Sequence, residues 1–112
     1  MRFLLGASFG SDPKGTPIAK FVMHHADKTV SERPLVLGHD AVDWWVAPPP
    51  PGEGKPVVAW SGSNPASRAQ NATIHLYVVT WNNPRPEQEI ESLDFISAKR
   101  ITAPFLVAVT VV

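Results

Sequence analysis

Residues 72–86 read ATIHLYVVTWNNPRP, an apolar run that ends at a turn rich in asparagine and proline. Side chains alternate between two sides of such a run, as they do along a β-strand. On one side, which we expect to face the core, lie Ile74, Leu76 and Val78. On the other side lie Thr73, His75, Tyr77 and Trp81. The stretch therefore predicts a strand buried on one face and closed by a turn.

The same pattern of short runs between turns continues along the chain. Twelve prolines and seven glycines leave no stretch long enough to predict a helix. We predict strands near residues 2–7, 17–25, 29–37, 42–46, 56–61, 72–81, 89–97 and 104–112. Short, evenly spaced strands are typical of sandwiches and jelly rolls. The predicted fold is an all-β antiparallel sandwich or jelly roll of about eight strands, one domain over residues 1–112.

The C-terminal residues 105–112 are apolar on both sides of the predicted strand. A strand covered on both faces has this composition. An exposed edge strand without charges would invite pairing with other chains. We therefore predict a central strand here.

Composition limits the partners of this domain. The 112 residues are 44% hydrophobic and 18% charged, which suits a packed globular core. Ten basic residues balance ten acidic ones, so we expect neither nucleic acid nor a membrane surface as partner. For the same reason we expect binding to depend little on salt concentration. No run approaches the roughly 20 apolar residues of a membrane span. The absence of cysteine excludes disulfides and thiolate chemistry.

The histidines do not have the spacing of a metal site. His24 and His25 are neighbours, whereas His39 and His75 stand alone, and a cupin-type jelly roll needs a His-x-His pair. No Gly-x-Ser-x-Gly elbow is present, so we predict no catalytic centre and no cofactor. A structural calcium ion held by loop carbonyls would leave no trace in the sequence and stays open. A small metal-dependent jelly-roll enzyme is kept as an alternative.

The four tryptophans are the candidates for a binding surface. Trp44 and Trp45 are adjacent and would point to opposite faces of a strand, which favours exposure of at least one. Trp60 lies at a strand end before a polar loop. The alternative for each is core packing, with one indole of the Trp44–Trp45 pair beneath the proline run 48–51. Indole rings stack on sugars, and amide and guanidinium groups bind hydroxyls.

These residues give a candidate ligand-binding set in two parts. The predicted stacking residues are Trp44, Trp45, Trp60, Tyr77 and Trp81. The predicted hydrogen-bonding residues are Asp43, His25, Arg68, Asn83 and Arg85.

Four motifs in their order carry a resemblance to a known class of domains. They are DWW at 43–45, AWSGSN at 59–64, TWNNPRP at 80–86 and IESLDF at 90–95. In this order they resemble accessory β-sandwich modules of large bacterial multidomain proteins, similar to the galactose-binding-domain-like class. The resemblance implies a jelly roll, a carbohydrate-binding role and a place in a larger extracellular or cell-surface protein. No signal peptide is visible at the N-terminus.

The leading hypothesis is a non-catalytic carbohydrate-binding module that recognises a polysaccharide. The alternative is a structural or protein-interaction domain that packs on neighbouring domains of a parent protein or forms a homodimer.

Domains of the resembling class favour glycine at the hairpin position that Lys28 occupies here. A lysine tolerates the positive φ of such a turn less well than a glycine.

Overall fold

The computed structural model describes residues 1–111 and shows two packed antiparallel sheets. The elements are β1 Arg2–Ser8, β2 Pro17–His25, β3 Val30–Val36, β4 Val57–Gly62, α1 Pro65–Ala69, β5 Ile74–Thr80, β6 Ile90–Ser97 and β7 Ala103–Thr110. One sheet has the strand order β4-β5-β1-β7 and the other β3-β2-β6. The all-β antiparallel sandwich is confirmed, with seven strands in the described range where about eight were predicted.

The two sheets are joined by a stack of two phenylalanines. Phe3 of β1 and Phe21 of β2 are both fully buried, and their ring centroids lie 4.0 Å apart. Leu5 and Ala7 follow Phe3 on the same side of β1 and are also fully buried, as expected from the alternation along a strand. Inner residues of both sheets complete the cluster: Ile18, Ala19, Leu35, Leu37, Ala41, Tyr77 and Val79.

The two sides of β5 are the reverse of the prediction. Phe3 pairs with Val79 and Leu5 pairs with Tyr77, which places both β5 residues in the core. Leu76 and Val78, predicted to be core, are half-buried on the outer face, while Ile74 is buried as predicted. The strand is apolar on both sides, so alternation alone does not say which side faces inward. The pairing with β1 determines which side of β5 faces the core.

The strand predicted at residues 42–46 is wrong. Asp43 makes only an isolated bridge to Ala7, and a turn follows. The Trp44 N–H donates to the Ala7 carbonyl at 2.8 Å, and the Trp44 carbonyl accepts from the His75 N–H at 2.9 Å. The segment is thus inserted between the ends of β1 and β5. The Asp43 carboxylate accepts the Trp45 N–H, a local bond that competes with strand pairing.

The prediction that the C-terminal strand is central is also wrong. β7 pairs only with β1 and forms an edge of the four-stranded sheet. Val107 is 53% exposed, and Val109 is exposed as well. The apolar residues of β7, which suggested a strand covered on both faces, lie instead on an exposed edge strand.

The β2–β3 hairpin contains the positive φ that its sequence suggested. Lys28 has a φ of 72°, a left-handed conformation that costs a non-glycine residue energy. Asp27 supports the turn by accepting the Thr29 N–H at 3.1 Å.

The phenylalanine stack should carry a large share of the stability. We expect Phe3→Ala to lower the free energy of unfolding by about 3–5 kcal/mol, because it removes a fully buried ring and leaves a cavity between the sheets. Urea denaturation followed by circular dichroism measures this. Ile96→Ala, at a side chain 44% exposed on the other sheet, should cost under about 1 kcal/mol and serves as control. Equal losses in the two variants would contradict the central role of the stack.

Candidate functional site

The outer faces of the two sheets differ in chemistry. On the three-stranded sheet, Lys20 pairs with Glu32 at 3.0 Å and His24 lies 2.8 Å from Asp94. These cross-strand pairs of polar and charged groups are typical of a solvated face.

The outer face of the four-stranded sheet is apolar. Val57 lies opposite Val78, which lies opposite Leu4, which lies opposite Ala108. Leu76 lies two residues before Val78 and shares its face. Register shifts in the β4–β5 and β1–β7 pairs then place Trp60 opposite Leu76 and Phe105 opposite Gly6 on the same side. We call the surface formed by Leu4, Val57, Trp60, Leu76, Val78, Phe105 and Ala108 the apolar face.

Trp60 lies flat on the apolar face over Gly62. A Cβ atom added to Gly62 would lie 2.3 Å from Cζ2 and 2.7 Å from Cη2 of the indole, so the ring occupies the space above the glycine backbone. Trp60 is nevertheless 44% exposed. One face of the indole therefore rests on the sheet and the rest of the ring is open to solvent.

A second aromatic group lies toward the β7 side of the face. Phe105 is opposite Gly6 and covers it, since a Cβ at Gly6 would lie 2.4 Å from the ring. Trp44 packs edge-on against Phe105 with 5.0 Å between ring centroids. Trp45 in turn meets Trp44 at 6.1 Å and 79°. Trp44 and Trp45 are both half-buried, so neither is as open as Trp60.

A polar rim borders Trp60 and is held by α1. Asn64 caps the helix: its Oδ1 accepts the Ser67 N–H at 2.7 Å, and Ser67 Oγ accepts the Asn64 N–H at 2.8 Å. Arg68 is exposed, and its contact is a long one to Ser63 Oγ at 3.4 Å. This helix was not predicted from the sequence. Its signal was present in Asn64-Pro65, a capping residue followed by proline at the first helical position.

Two of the predicted ligand residues are inside the protein. His25 and Tyr77 are both 0% exposed. His25 Nε2 is 2.8 Å from Ser31 Oγ. Burial raises the pKa of the Tyr77 hydroxyl, and the nearby Asp43 carboxylate raises it further. Neither side chain is open to a polysaccharide on the surface.

Asp43 and Trp81 have structural contacts. The Asp43 carboxylate accepts the N–H groups of Gly10 and Trp45, both at 2.9 Å. Trp81 is half-buried against the core cluster, and its backbone bonds with Met1. Asp43 thus fixes the inserted segment, and Trp81 closes one end of the core.

Asn83 and Arg85 belong to a separate network in the loop before β6. Arg85 Nη1 lies 2.8 Å from Asp27 Oδ2, and its Nε lies 3.3 Å from Glu87. Asn83 Oδ1 accepts the Arg85 N–H at 2.9 Å. These contacts tie the loop to the β2–β3 hairpin. Of the predicted set, Trp60 lies on the apolar face, Trp44 contacts Phe105 of that face and Trp45 contacts Trp44, while Arg68 is exposed on α1, the helix that follows β4.

One pair of side chains has the composition of a catalytic dyad. Ser61 Oγ lies 2.7 Å from His75 Nδ1. In the described part of the chain no carboxylate contacts His75, so the pair lacks the acid that orients the histidine in a triad. Within residues 1–111, no three histidine or acidic residues are grouped as metal ligands.

Comparison with known proteins adds no assignment. No protein family, curated protein or solved structure gives a significant match to the chain. Over the described range, no helix is long and apolar enough to cross a membrane. The resemblance to galactose-binding-like modules remains a prediction, and function has to be argued from the apolar face and its rim.

The Asp27 network should make stability depend on pH. Hydrogen bonds from Thr29, with the Arg85 guanidinium beside it, lower the pKa of Asp27 from 3.8 to about 2. Because this folded-state pKa is depressed, the carboxylate stabilises the fold above about pH 4, and its contribution is lost as the pH falls toward 2. We expect the difference in free energy of unfolding between wild type and Asp27→Asn to shrink over that interval. Urea titrations at several pH values measure it. A difference that stays constant or widens on acidification would be inconsistent with this role.

Proposed function

We propose that this domain is a non-catalytic carbohydrate-binding module and that the sugar stacks on Trp60. The observation that carries the proposal is the indole laid flat over Gly62 with its outer surface open. The C–H face of a pyranose ring packs on such a flat apolar surface. In this role the module would anchor a larger extracellular or cell-surface protein to a polysaccharide.

The position of Trp60 makes it a prepared platform. Trp60 pairs with Leu76 across β4 and β5, and the ring is supported by the backbone of Gly62 beneath it. A side chain that is already fixed loses little conformational freedom when a ligand binds. The conformational entropy of the Trp60 side chain is therefore lost during folding and not when the ligand binds.

Polar groups beside the platform supply the hydrogen bonds that a sugar needs. Arg68 is exposed and carries several N–H donors, and Ser63 is exposed next to it. Asn64 uses its Oδ1 for the helix cap, which leaves its amide N–H₂ as a donor. Trp44 and Trp45 extend the aromatic surface toward β7. This arrangement replaces the ten-residue set of the sequence analysis with a site centred on Trp60 and Arg68.

Removal of the indole should abolish binding without unfolding the domain. We expect Trp60→Ala to eliminate the retardation of the protein in affinity gels that contain a polysaccharide which retards the wild type. Ile96→Ala removes an equally exposed apolar side chain from the other sheet and should bind normally. The panel would include cellulose derivatives, xylan, mannan, β-glucan and pectin. If wild type migrates unretarded in every gel, or if Trp60→Ala is retarded like wild type, the proposal is wrong.

The flat orientation of the indole has its own test. In Gly62→Ala the new Cβ would occupy the space of the ring, so the indole must lift from the sheet while remaining in the chain. We expect affinity to fall at least about tenfold, because the platform is lost although the aromatic side chain is present. Unchanged affinity in a folded Gly62→Ala protein would show that stacking does not require the flat orientation.

A structural or protein-interaction function is the second candidate, and it rests on β7. Both edges of the three-stranded sheet carry charges, Glu32 and Arg33 on β3 and Glu91 and Asp94 on β6. The β7 edge carries none, since residues 101–111 contain no acidic residue, lysine or arginine. Charges normally protect edge strands from pairing with another chain. An uncharged edge favours a contact with a second copy or a neighbouring domain.

A lysine on this edge should suppress such a contact. We expect Val107→Lys to be monomeric in sedimentation velocity at concentrations where the wild type forms dimers, because the charge would have to be buried in the pair. Val30→Lys places the same charge at an exposed position on the β3 edge and should leave the association unchanged. A wild type that remains monomeric up to millimolar concentration would rule out self-association through β7.

A further inference from the structure

The charges of this neutral chain are segregated between the two sheets. The segments that build the four-stranded sheet and α1 contain no aspartate or glutamate, and residues 54–86 contain none either. The cations in and next to these elements are Arg2, Lys55 and Arg68. All ten acidic residues lie in the three-stranded sheet or in loops. Although the net charge is zero, the strands of the four-stranded sheet and α1 thus contain arginine but no carboxylate side chain.

The three cations lie around the apolar face. Arg2 is opposite Thr80 and Thr110, two residues before Leu4 on the same side of β1. Lys55 is two residues before Val57, and Arg68 is on the helix that follows β4. All three side chains are exposed, and none forms an ion pair among the described residues.

Lys55 lines a cleft beside β4. Its volume is about 240 Å³, and its polar lining includes Arg33, His39, Asp40, Lys55 and Thr80. Asp40 is the acidic group in this cleft, and it is already neutralised by Arg33 at 2.8 Å. It also accepts the Val36 N–H at 2.7 Å. Lys55 thus faces no competing free carboxylate there.

We infer that the glycan bound on the apolar face is acidic and carries carboxylate or sulfate groups. The inference rests on the proposed function and adds the class of ligand. A chain stacked on Trp60 and running along β4 would extend at one end toward Lys55, two residues before the strand, and at the other toward Arg68 of α1, the helix that follows it. Lys55 and Arg68 form no ion pair among the described residues and favour an anion at both ends of that path. The expectation of salt-insensitive binding, drawn from net charge, is replaced by salt-sensitive binding.

The direct test compares polysaccharides that differ in charge alone. The probes are polygalacturonate against its highly methyl-esterified form, and dextran sulfate against dextran. We expect the wild type to prefer the charged member of at least one pair by about tenfold or more, and the preference to decline as NaCl rises from about 0.05 to 0.5 M. Affinity electrophoresis and isothermal titration calorimetry give the constants.

Matched variants separate the site from general charge attraction. Lys55→Gln combined with Arg68→Gln should abolish the preference, because both cations flank Trp60. Lys14→Gln combined with Lys99→Gln removes the same amount of charge from exposed loop positions. This variant should retain the preference for the charged polysaccharide. Trp60→Ala should weaken binding to both members of a pair.

The outcomes distinguish the two levels of the proposal. Equal affinity for both members of each pair, or loss of the preference in the Lys14/Lys99 variant as well, overturns the acidic ligand. If the domain binds a neutral polysaccharide, and this binding requires Trp60 but does not change with salt, the carbohydrate-binding function is retained and the inference that the ligand is acidic is wrong. No binding to any of these four probes overturns the acidic-glycan inference. Only failure to bind every polysaccharide of the affinity-gel panel as well removes the carbohydrate-binding function.

Discussion

The stack of Phe3 on Phe21 determines which side of each sheet is inside. With ring centroids 4.0 Å apart, these two side chains fix β1 against β2 at the centre of the sandwich. Because neighbouring residues of a strand point to opposite faces, an inward Phe3 sends Leu4 outward. The register with β5 then turns Val78 and Leu76 outward too. The apolar face is thus a direct consequence of the core contact.

An exposed apolar sheet face needs an explanation, because it costs solubility and adds nothing to the core. Large patches of this kind on soluble proteins mark sites of interaction. Here the patch contains an indole supported by the backbone of Gly62, and Arg2, Lys55 and Arg68 near it form no ion pair within residues 1–111. The other sheet has cross-strand pairs such as Lys20–Glu32 and is an ordinary solvated surface. This asymmetry supports the proposal that the four-stranded sheet is the binding surface.

The sequence predicted the strands well where proline and glycine delimit them. The 17–25 strand has the same bounds as β2, and the 2–7 strand differs from β1 by one residue. Prediction failed where pairing decides. Tyr77 was predicted to lie on the outer side of β5, yet pairing with Leu5 places it in the core. β7 was predicted to be central, but its edge position depends on the strand order, which no local sequence pattern encodes.

The candidate site was predictable only in part for the same reason. Trp60 was expected at a strand end beside a polar loop, and both it and Arg68 are exposed. The burial of His25 and the bonds of Asp43 were not predictable, because they depend on distant partners such as Ser31 and Gly10. The flat orientation of Trp60 depends on Gly62 two residues later, a short-range signal that the sequence did contain.

Hydroxyl-radical footprinting of the wild-type protein, with and without a polysaccharide that retards it, tests the central claim most directly. Bound ligand should protect Trp60 together with Leu76, and should leave Trp81 and the Ile96 side chain of the opposite sheet as reactive as before. Protection of Trp81 or Ile96 with none at Trp60 would show that the four-stranded sheet is not the binding surface.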